Sequence, residues 1–363
     1  MRKILHLIPT LEGGGAERQL SMLAVEQAKR GWDVHIALRR RGVHADMLRK
    51  GGVIIHQLGD FKGPHPTLIS RARTLVARLD PNLLHTWLPQ MDIIGGVLTL
   101  WDRLRWVLSE RASKEAYHDR SLLTFLRCRL ARHVSAVVAN SGEGTEYWRH
   151  RLPLGTTVAT IPNAVDVAAI RGTPQQACQI LGSDCPVFLF VGRLAPQKAP
   201  EVFIQAFAKM AKVRTVSGLM IGQGPMFKEI QSSIQANGLD SSLRILPYQR
   251  EWWGLLKSAT ALVSPSRFEG LPNVVLESMA AGCPLLVSDI RQHRSFLDEK
   301  SALFFPKDDP AALADALGRL MDDPQAARQR AARAYECATR FTVDVAADAY
   351  DGVYAAVLQE SIS

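Results

Sequence analysis

At 363 residues the chain is longer than a single hydrophobic core usually fills, and a hydrophobic share of 47% suits ordinary globular packing, so two domains are expected. No stretch approaches the roughly 18 to 20 uninterrupted apolar residues that cross a bilayer. The five cysteines (Cys128, Cys178, Cys185, Cys283, Cys337) are scattered, without the spacing of a zinc site or a disulfide framework. The net charge of +9 sits in the amino-terminal half: residues 1 to 170 hold 24 Lys plus Arg against 15 Asp plus Glu, and the remainder 20 against 20.

Residues Met1 to Pro9 lack a small-residue cleavage site and read as a first strand, Lys3 to Ile8. The expectation is therefore a cytoplasmic protein with free thiols. A Gly-rich loop (Glu12 to Gly15), a helix (Ala16 to Arg30) stopped by Gly31 and a strand (Val34 to Leu38) follow. Apolar runs at Val53 to Leu58, Leu83 to Leu84, Trp106 to Leu108, Ala136 to Val138 and Val158 to Ile161 alternate with helical stretches, the pattern of a doubly wound sheet. Gly172, Pro174, Gly182 and Pro186 then interrupt it, which places a linker around Val167 to Pro186.

The same grammar restarts with a strand (Val187 to Val191), a loop (Gly192 to Pro200), a helix (Glu201 to Lys212) and a strand (Ser217 to Ile221). Further strands are expected near Arg244 to Leu246, Ala261 to Val263, Pro284 to Val287 and Ala302 to Phe304. Helices are expected over Pro310 to Met321, Pro324 to Arg340 and Val343 to Gln359. The fold class is α/β, with residues 1–168 and a terminal helix from about 345–363 in one Rossmann-like domain and 169–344 in the other.

The strongest local signal runs from Ser264 to Glu277, SPSRFEGLPNVVLE, after an apolar strand and into a helix ended by Gly282 and Pro284. Pro272 suits the first helical turn. Glu269 then lies on the loop at the positive end of the helix, with Glu277 about 8 Å further along at 1.5 Å per residue. Backbone N–H groups at such an end bind a diphosphate, while the two carboxylates can accept hydrogen bonds from ribose and sugar hydroxyls. The bland alternative is a first turn that merely favours negative charge. After the strand Val187 to Val191, Arg193 and Lys198 stand five residues apart at the edge where α/β sheets gather ligands. Two fixed cations there can neutralise a leaving nucleoside diphosphate.

Gly13-Gly-Gly-Ala-Glu-Arg18 looks like a phosphate cradle, but Arg18 stands where the dinucleotide pattern needs its third glycine. Arg39-Arg40-Arg41 would suit a 2′-phosphate and keeps an NADP-dependent oxidoreductase as a rival reading. From Trp101 to Arg132, aromatic and basic residues mix (Trp101, Arg103, Arg105, Trp106, Arg120, Phe125, Arg127, Arg129, Arg132), as on a surface for anionic lipid or nucleic acid, or on a plain solvated helix face. The chain carries no recognisable nucleic-acid recognition module, so nucleic acid is not an expected partner. Asp308-Asp309 and Asp322-Asp323 precede prolines and read as turn and first-turn residues rather than metal ligands.

In order along the chain, Gly14-Gly-Ala-Glu17, Ile161-Pro-Asn-Ala-Val-Asp166, Val191-Gly-Arg-Leu194 with Lys198, Ile221-Gly-Gln-Gly-Pro225, and Pro265 to Asn273 with Glu277-Ser-Met-Ala280 resemble the retaining GT-B glycosyltransferases of family 4 (group 1), those with the E-x7-E signature. The resemblance implies two Rossmann-like domains facing across a cleft, with a carboxyl-terminal helix crossing back to the first. It implies Arg193 and Lys198 on the donor diphosphate and Glu277 on ribose. Glu269, Gly270 and Leu271 would meet the transferred sugar, Gly222 would join the donor set, and Gly14 and Gly15 would close over the reacting centre.

The implied reaction uses a nucleotide-diphosphate sugar, UDP or GDP, as co-substrate with no cofactor and no metal. The expected acceptor is a saccharide or lipid-linked precursor of lipopolysaccharide or exopolysaccharide, bound by the basic first domain against the inner face of the cytoplasmic membrane. Several residues depart from the family pattern. Ala164 and Ala199 replace glycines, and Glu110 with Arg111 replaces the histidine that often follows the strand at Trp106 to Ser109. His85, Glu110 and His118 are therefore the acceptor-side candidates. Arg291, Gln292 and His293 stand where a Gly-Gly pair before a Glu is usual.

Overall fold

The computed structural model describes residues 2–60, 65, 67–102, 104–111, 122–176, 185–247, 249 and 252–359. The chain divides into two units, Met1–Ala164 with Val343–Ser363, and Val165–Thr342.

The first unit runs β1 (Lys3–Leu7), α1 (Gly15–Lys29), β2 (Asp33–Leu38), α2 (Ala45–Lys50), β3 (Ile54–Gln57), α3 (Thr67–Leu79) and β4 (Leu83–Trp87). It continues with α4 (Pro89–Asp102), β5 (Trp106–Glu110), α5 (Leu122–Leu130), β6 (Ala136–Ala139), α6 (Gly142–Arg149) and β7 (Thr157–Thr160). The second unit runs α7 (Val167–Gly172), β8 (Val187–Val191), α8 (Pro200–Ala211), β9 (Ser217–Ile221), α9 (Phe227–Ala236), β10 (Leu243–Leu246) and α10 (Trp253–Leu256). Then come β11 (Ala261–Ser264), α11 (Asn273–Ala281), β12 (Leu285–Ser288), α12 (Arg291–Arg294), β13 (Leu303–Phe305), α13 (Pro310–Asp322) and α14 (Pro324–Ala338). The last helix, α15 (Val343–Gln359), returns to the first unit.

Both sheets are parallel, in the orders β3-β2-β1-β4-β5-β6-β7 and β10-β9-β8-β11-β12-β13. Helices cover both faces of such a sheet, so its strands are apolar on both sides; every residue of β4, β5 and β6 is buried. Neighbouring residues point to opposite cores, Ile4 to one and Leu5 to the other.

The expected linker begins later than the actual crossing. Val165 N donates to Phe341 O at 2.7 Å, and Ile170 on α7 is fully buried in the core of the second unit. Packing therefore draws Val167 to Gly172 into that unit despite its turn-forming composition. The acidic pairs act one position earlier than expected: Asp309 and Asp323 are N-caps, accepting from Ala311 N and Ala312 N, and from Ala326 N, with the prolines as the first helical residues. Pro272 likewise precedes α11 rather than opening it. Gly282 ends α11 at φ 70°, in the left-handed region that glycine enters without a steric penalty. On α15, Ala347, Tyr350, Tyr354 and Val357 form one buried stripe against the first core.

Candidate functional site

In the second unit the strand order reverses between β8 and β11, and ligands of doubly wound sheets bind outside the carboxyl ends at this reversal. The two chemically promising loops, Gly192 to Ala199 after β8 and Pro265 to Pro272 after β11, emerge there and are stitched together. Arg267 N donates to Gln197 O at 2.8 Å, and Gln197 Nε2 donates to Phe268 O at 3.0 Å. The Arg267 guanidinium binds Pro196 O at 2.6 Å, Glu201 at 2.5 Å and Asp308 at 2.7 Å.

This stitching sets Lys198 Nζ 2.5 Å from Glu269 Oε1. Ser266 Oγ donates to the same carboxylate oxygen at 2.6 Å. Glu269 is only 4% exposed, so the ammonium and the hydroxyl are what make a buried carboxylate tolerable. Glu277 is also buried, on α11 four residues past its start. Arg193 is exposed and has no ion-pair partner among the described residues, leaving its guanidinium open to an anion. The two cations therefore differ: Lys198 is held in place, and Arg193 is free to reach.

Backbone close approach shapes the floor. A Cβ on Gly222, at the end of β9, would lie 1.9 Å from Gly192 O, so only glycine lets these two loops touch. Gly270 is partly exposed, whereas the Leu271 side chain is buried in the core.

A further polar chain lies behind Glu269. Ser288 Oγ, at the end of β12, donates to Ser266 O at 2.6 Å, and His293 Nδ1 donates to Ser288 O at 2.8 Å. His293 is fully buried, and burial pushes its imidazole below the ordinary value, with Glu269 and Lys198 both acting on its charge in opposite senses. Sequence reading passed over Ser266 and Ser288 because single serines carry no periodic signal, and it met His293 only as a departure from a family pattern.

In the first unit, Gly14 is the N-cap of α1, and the Glu17 carboxylate turns back to Thr10 Oγ1 at 3.1 Å. Two of the acceptor-side candidates are engaged by internal hydrogen bonds. His85 is fully buried with both ring nitrogens occupied, Nδ1 by Tyr354 OH and Nε2 by Ser109 Oγ, each at 2.8 Å. Glu110 is 1% exposed and accepts from Arg127 Nη1 and Trp148 Nε1, each at 2.9 Å. Both ring nitrogens of His85 and the Oε2 of Glu110 are thus taken by partners within the first unit. His118 lies outside the described residues. Arg111 directly follows the strand: its guanidinium donates to Asn163 Oδ1 at 2.9 Å and to Tyr350 OH, and lies 4.5 Å from the Trp87 ring centroid.

The basic and aromatic stretch splits between interior and surface. Trp106 is fully buried, donating to Thr86 Oγ1 at 2.9 Å, and Arg127 is buried in an ion pair with Asp92 at 2.7 Å. Trp101, Leu122, Phe125, Arg129 and Arg132 are exposed.

Two doubly wound units, one with charged loops knitted together at its strand reversal, define a GT-B glycosyltransferase fold. The structure of Anabaena HepE with UDP and glucose is similar over 98% of this chain and 100% of that one, at a TM-score of 0.86 and 17% identity. Sucrose-phosphate synthase from Thermosynechococcus elongatus gives a TM-score of 0.83 at 19% identity, over 99% and 100% of the two chains.

By sequence, residues 13–169 match Glycosyltransferase Family 4 and residues 179–337 match Glycosyl transferases group 1. The chain belongs to this family of glycosyltransferases. Among its relatives are the alpha-D-kanosaminyltransferase of Streptomyces kanamyceticus, 28% identical over 47% of this chain and 46% of that protein, and the Escherichia coli UDP-Gal:alpha-D-GlcNAc-diphosphoundecaprenol alpha-1,3-galactosyltransferase, 27% identical over 46% of each. These matches span about half the length of those relatives. The D-inositol 3-phosphate glycosyltransferase of Nocardia farcinica is 24% identical over 97% of this chain and 86% of its own length.

Proposed function

We propose that this protein transfers a sugar from a nucleoside-diphosphate sugar to an acceptor hydroxyl with retention of configuration and without a metal ion. The observation that carries the reading is the Lys198–Glu269 pair, fixed at the strand reversal of the second unit beside the open guanidinium of Arg193. Lys198 and Arg193 take up the charge that grows on the departing diphosphate. Glu277 accepts hydrogen bonds from ribose, while Glu269 and the main chain at Gly270 and Leu271 hold the sugar.

Glu269 is already engaged by Lys198 and Ser266, which argues for orienting the sugar rather than attacking it. As the bond from the anomeric carbon to the phosphate oxygen breaks, the acceptor oxygen bonds to the same face of that carbon. Its proton passes to the departing phosphate oxygen. In this reading Arg193 and Lys198 supply the positive charge at the diphosphate, and Asp309 and Asp323 serve as helix caps. Thermal stabilisation by UDP, GDP, ADP and their common sugars identifies the donor; UDP is favoured by the HepE complexes and by the Escherichia coli relative's named donor. Trapping a covalent glycosyl-enzyme would overturn front-face attack.

For the acceptor, the reading is a lipid-linked saccharide or polysaccharide precursor at an anionic membrane surface, with the protein peripheral on its cytoplasmic side. The support is the exposed apolar row Leu122, Phe125 and Leu126 on α5, beside exposed Arg129 and Arg132, together with Trp101, whose ring lies 5.1 Å from the Arg73 guanidinium. The relative named for a diphosphoundecaprenol acceptor adds to it. No helix among the described residues is long and apolar enough to cross a membrane. Co-sedimentation with anionic vesicles at low salt tests this, and its absence removes the membrane part alone.

A further inference from the structure

Resting on the donor-site reading, we infer that His293 is a specificity-determining residue whose Nε2 accepts a hydrogen bond from a hydroxyl of the transferred sugar. The ring is fully buried, on α12 just past the carboxyl end of β12. Ser288 O can only accept, so the contact at 2.8 Å places the ring proton on Nδ1. Nε2 is left with an unshared electron pair, is buried, and has no hydrogen-bond partner among the described residues.

A buried acceptor without a partner costs about 1 to 3 kcal/mol, so a fold that keeps one gains by supplying a donor when its ligand arrives. The location says which ligand. Ser288 ties the base of α12 to Ser266 at 2.6 Å, and Ser266 holds Glu269, the carboxylate assigned to the sugar, at 2.6 Å. His293 thus shares one continuous hydrogen-bonded chain with the carboxylate assigned to the sugar, while Lys198, assigned to the phosphate, lies at its far end. A neutral imidazole nitrogen offers only acceptance, which suits a hydroxyl and rejects a bare C–H at the same position. Sites that hydrogen-bond a hydroxyl discriminate strongly against the analogue lacking it.

The test compares two near-isosteric variants by calorimetric binding of UDP and of UDP-glucose, with GDP and GDP-mannose in parallel. In His293→Asn the amide N–H takes the place of Nδ1 and keeps the bond to Ser288, but nothing replaces Nε2. In His293→Gln an amide oxygen can stand near Nε2. His293→Asn is expected to bind the nucleoside diphosphate as wild type does and to lose about tenfold in affinity for the matching nucleotide sugar, and His293→Gln is expected to recover most of that loss.

Independently of any variant, the 15N resonance of Nε2 in the wild-type protein should move on adding the nucleotide sugar and stay unmoved on adding the nucleoside diphosphate. Equal losses for nucleotide and nucleotide sugar, no loss at all, or an Nε2 resonance indifferent to the sugar would each overturn the inference. Failure of the wild type to bind any of the four probes sinks the donor-site reading itself, a separate outcome.

Discussion

Lys198 Nζ lies 2.5 Å from Glu269 Oε1, although 71 residues separate the two in the chain. In the proposed reading, this one contact fixes both the cation for the donor phosphate and the carboxylate for the donor sugar. Replacing Lys198 by Ala should lower kcat about 100-fold to 1000-fold, the cost of losing one preorganised charge partner of a transition state. It should also lower the melting temperature, because Glu269 is left buried and unpaired. Arg193→Ala should lower activity with the melting temperature unchanged, since that side chain is exposed. Melting and steady-state kinetics on both variants decide it: equal melting losses would mean the two cations do not divide their roles in this way.

Gly222→Ala places a methyl group 1.9 Å from Gly192 O, against backbone that cannot swing aside. The loops after β8 and β9 must then separate. We expect a loss of about 2 kcal/mol or more in stability together with weakened nucleotide binding, read by denaturant unfolding and calorimetry. A variant as stable as wild type would show that the loops yield freely.

Arg127 is enclosed in the first unit between Asp92 and Glu110 at 2.7 and 2.9 Å. Arg127→Leu strands two buried carboxylates and should cost about 3 to 5 kcal/mol. Because Asp92 is already pushed up to about 6, chiefly by burial, the variant should regain part of that loss as pH falls and Asp92 takes up a proton. Melting curves at pH 5 and pH 8 test this, and the opposite ordering would contradict it.

His6 and His85 make the first unit acid-sensitive. Burial pushes His6 from 6.5 down to about 4, and His85 well below its ordinary value. A histidine with a depressed folded pKa takes its proton first in the unfolded chain. Its stabilising contribution is therefore complete above about pH 6.5 and disappears as pH falls toward 4; for His6 alone this amounts to about 3 kcal/mol. Asp92 and Glu17, both raised chiefly by burial, have the opposite sign, the Asp92 contribution being present below 3.8 and lost by about pH 6, but they stand against three lowered histidines, since burial also pushes His56 down. The melting temperature should fall between pH 6.5 and pH 4.5. A pH-independent melting temperature over that range would be evidence against the assignment.

Tyr354 OH joins His85 Nδ1 at 2.8 Å and Gln27 Nε2 at 3.2 Å, linking α15 to the sheet and to α1. Tyr354→Phe orphans both partners and should cost about 1 to 3 kcal/mol, with faster amide exchange along α15 than elsewhere. Uniform exchange changes would mean that the hydroxyl is not a local clamp.

Much of the second unit was legible because its signals are local. A strand pattern followed by Gly192, two cations and Pro200 places Arg193 and Lys198 at a sheet edge, and Glu269 and Glu277 follow from the helix that Gly282 closes. The fate of the polar groups in the first unit was not legible, because what decides it is pairing over long separations. Glu110 looks like a carboxylate at a strand end until Arg127 and Trp148 enclose it, and His85 looks available until Tyr354, 269 residues away, takes its Nδ1. Trp106 and Arg127 fit a basic surface stretch in sequence, yet both are interior.

The order of elements, the parallel sheets and the residue types of the donor loops were determined by the sequence alone, since periodicity, glycine stops and capping act within a few residues. Tertiary structure alone decided which charges meet. It spent Glu110 and His85 on packing, joined Lys198 to Glu269, and left the Nε2 of His293 buried with its lone pair unshared among the described residues. Burial raises the energetic cost of every unpaired polar group, and which groups become buried is settled only when distant segments close around them.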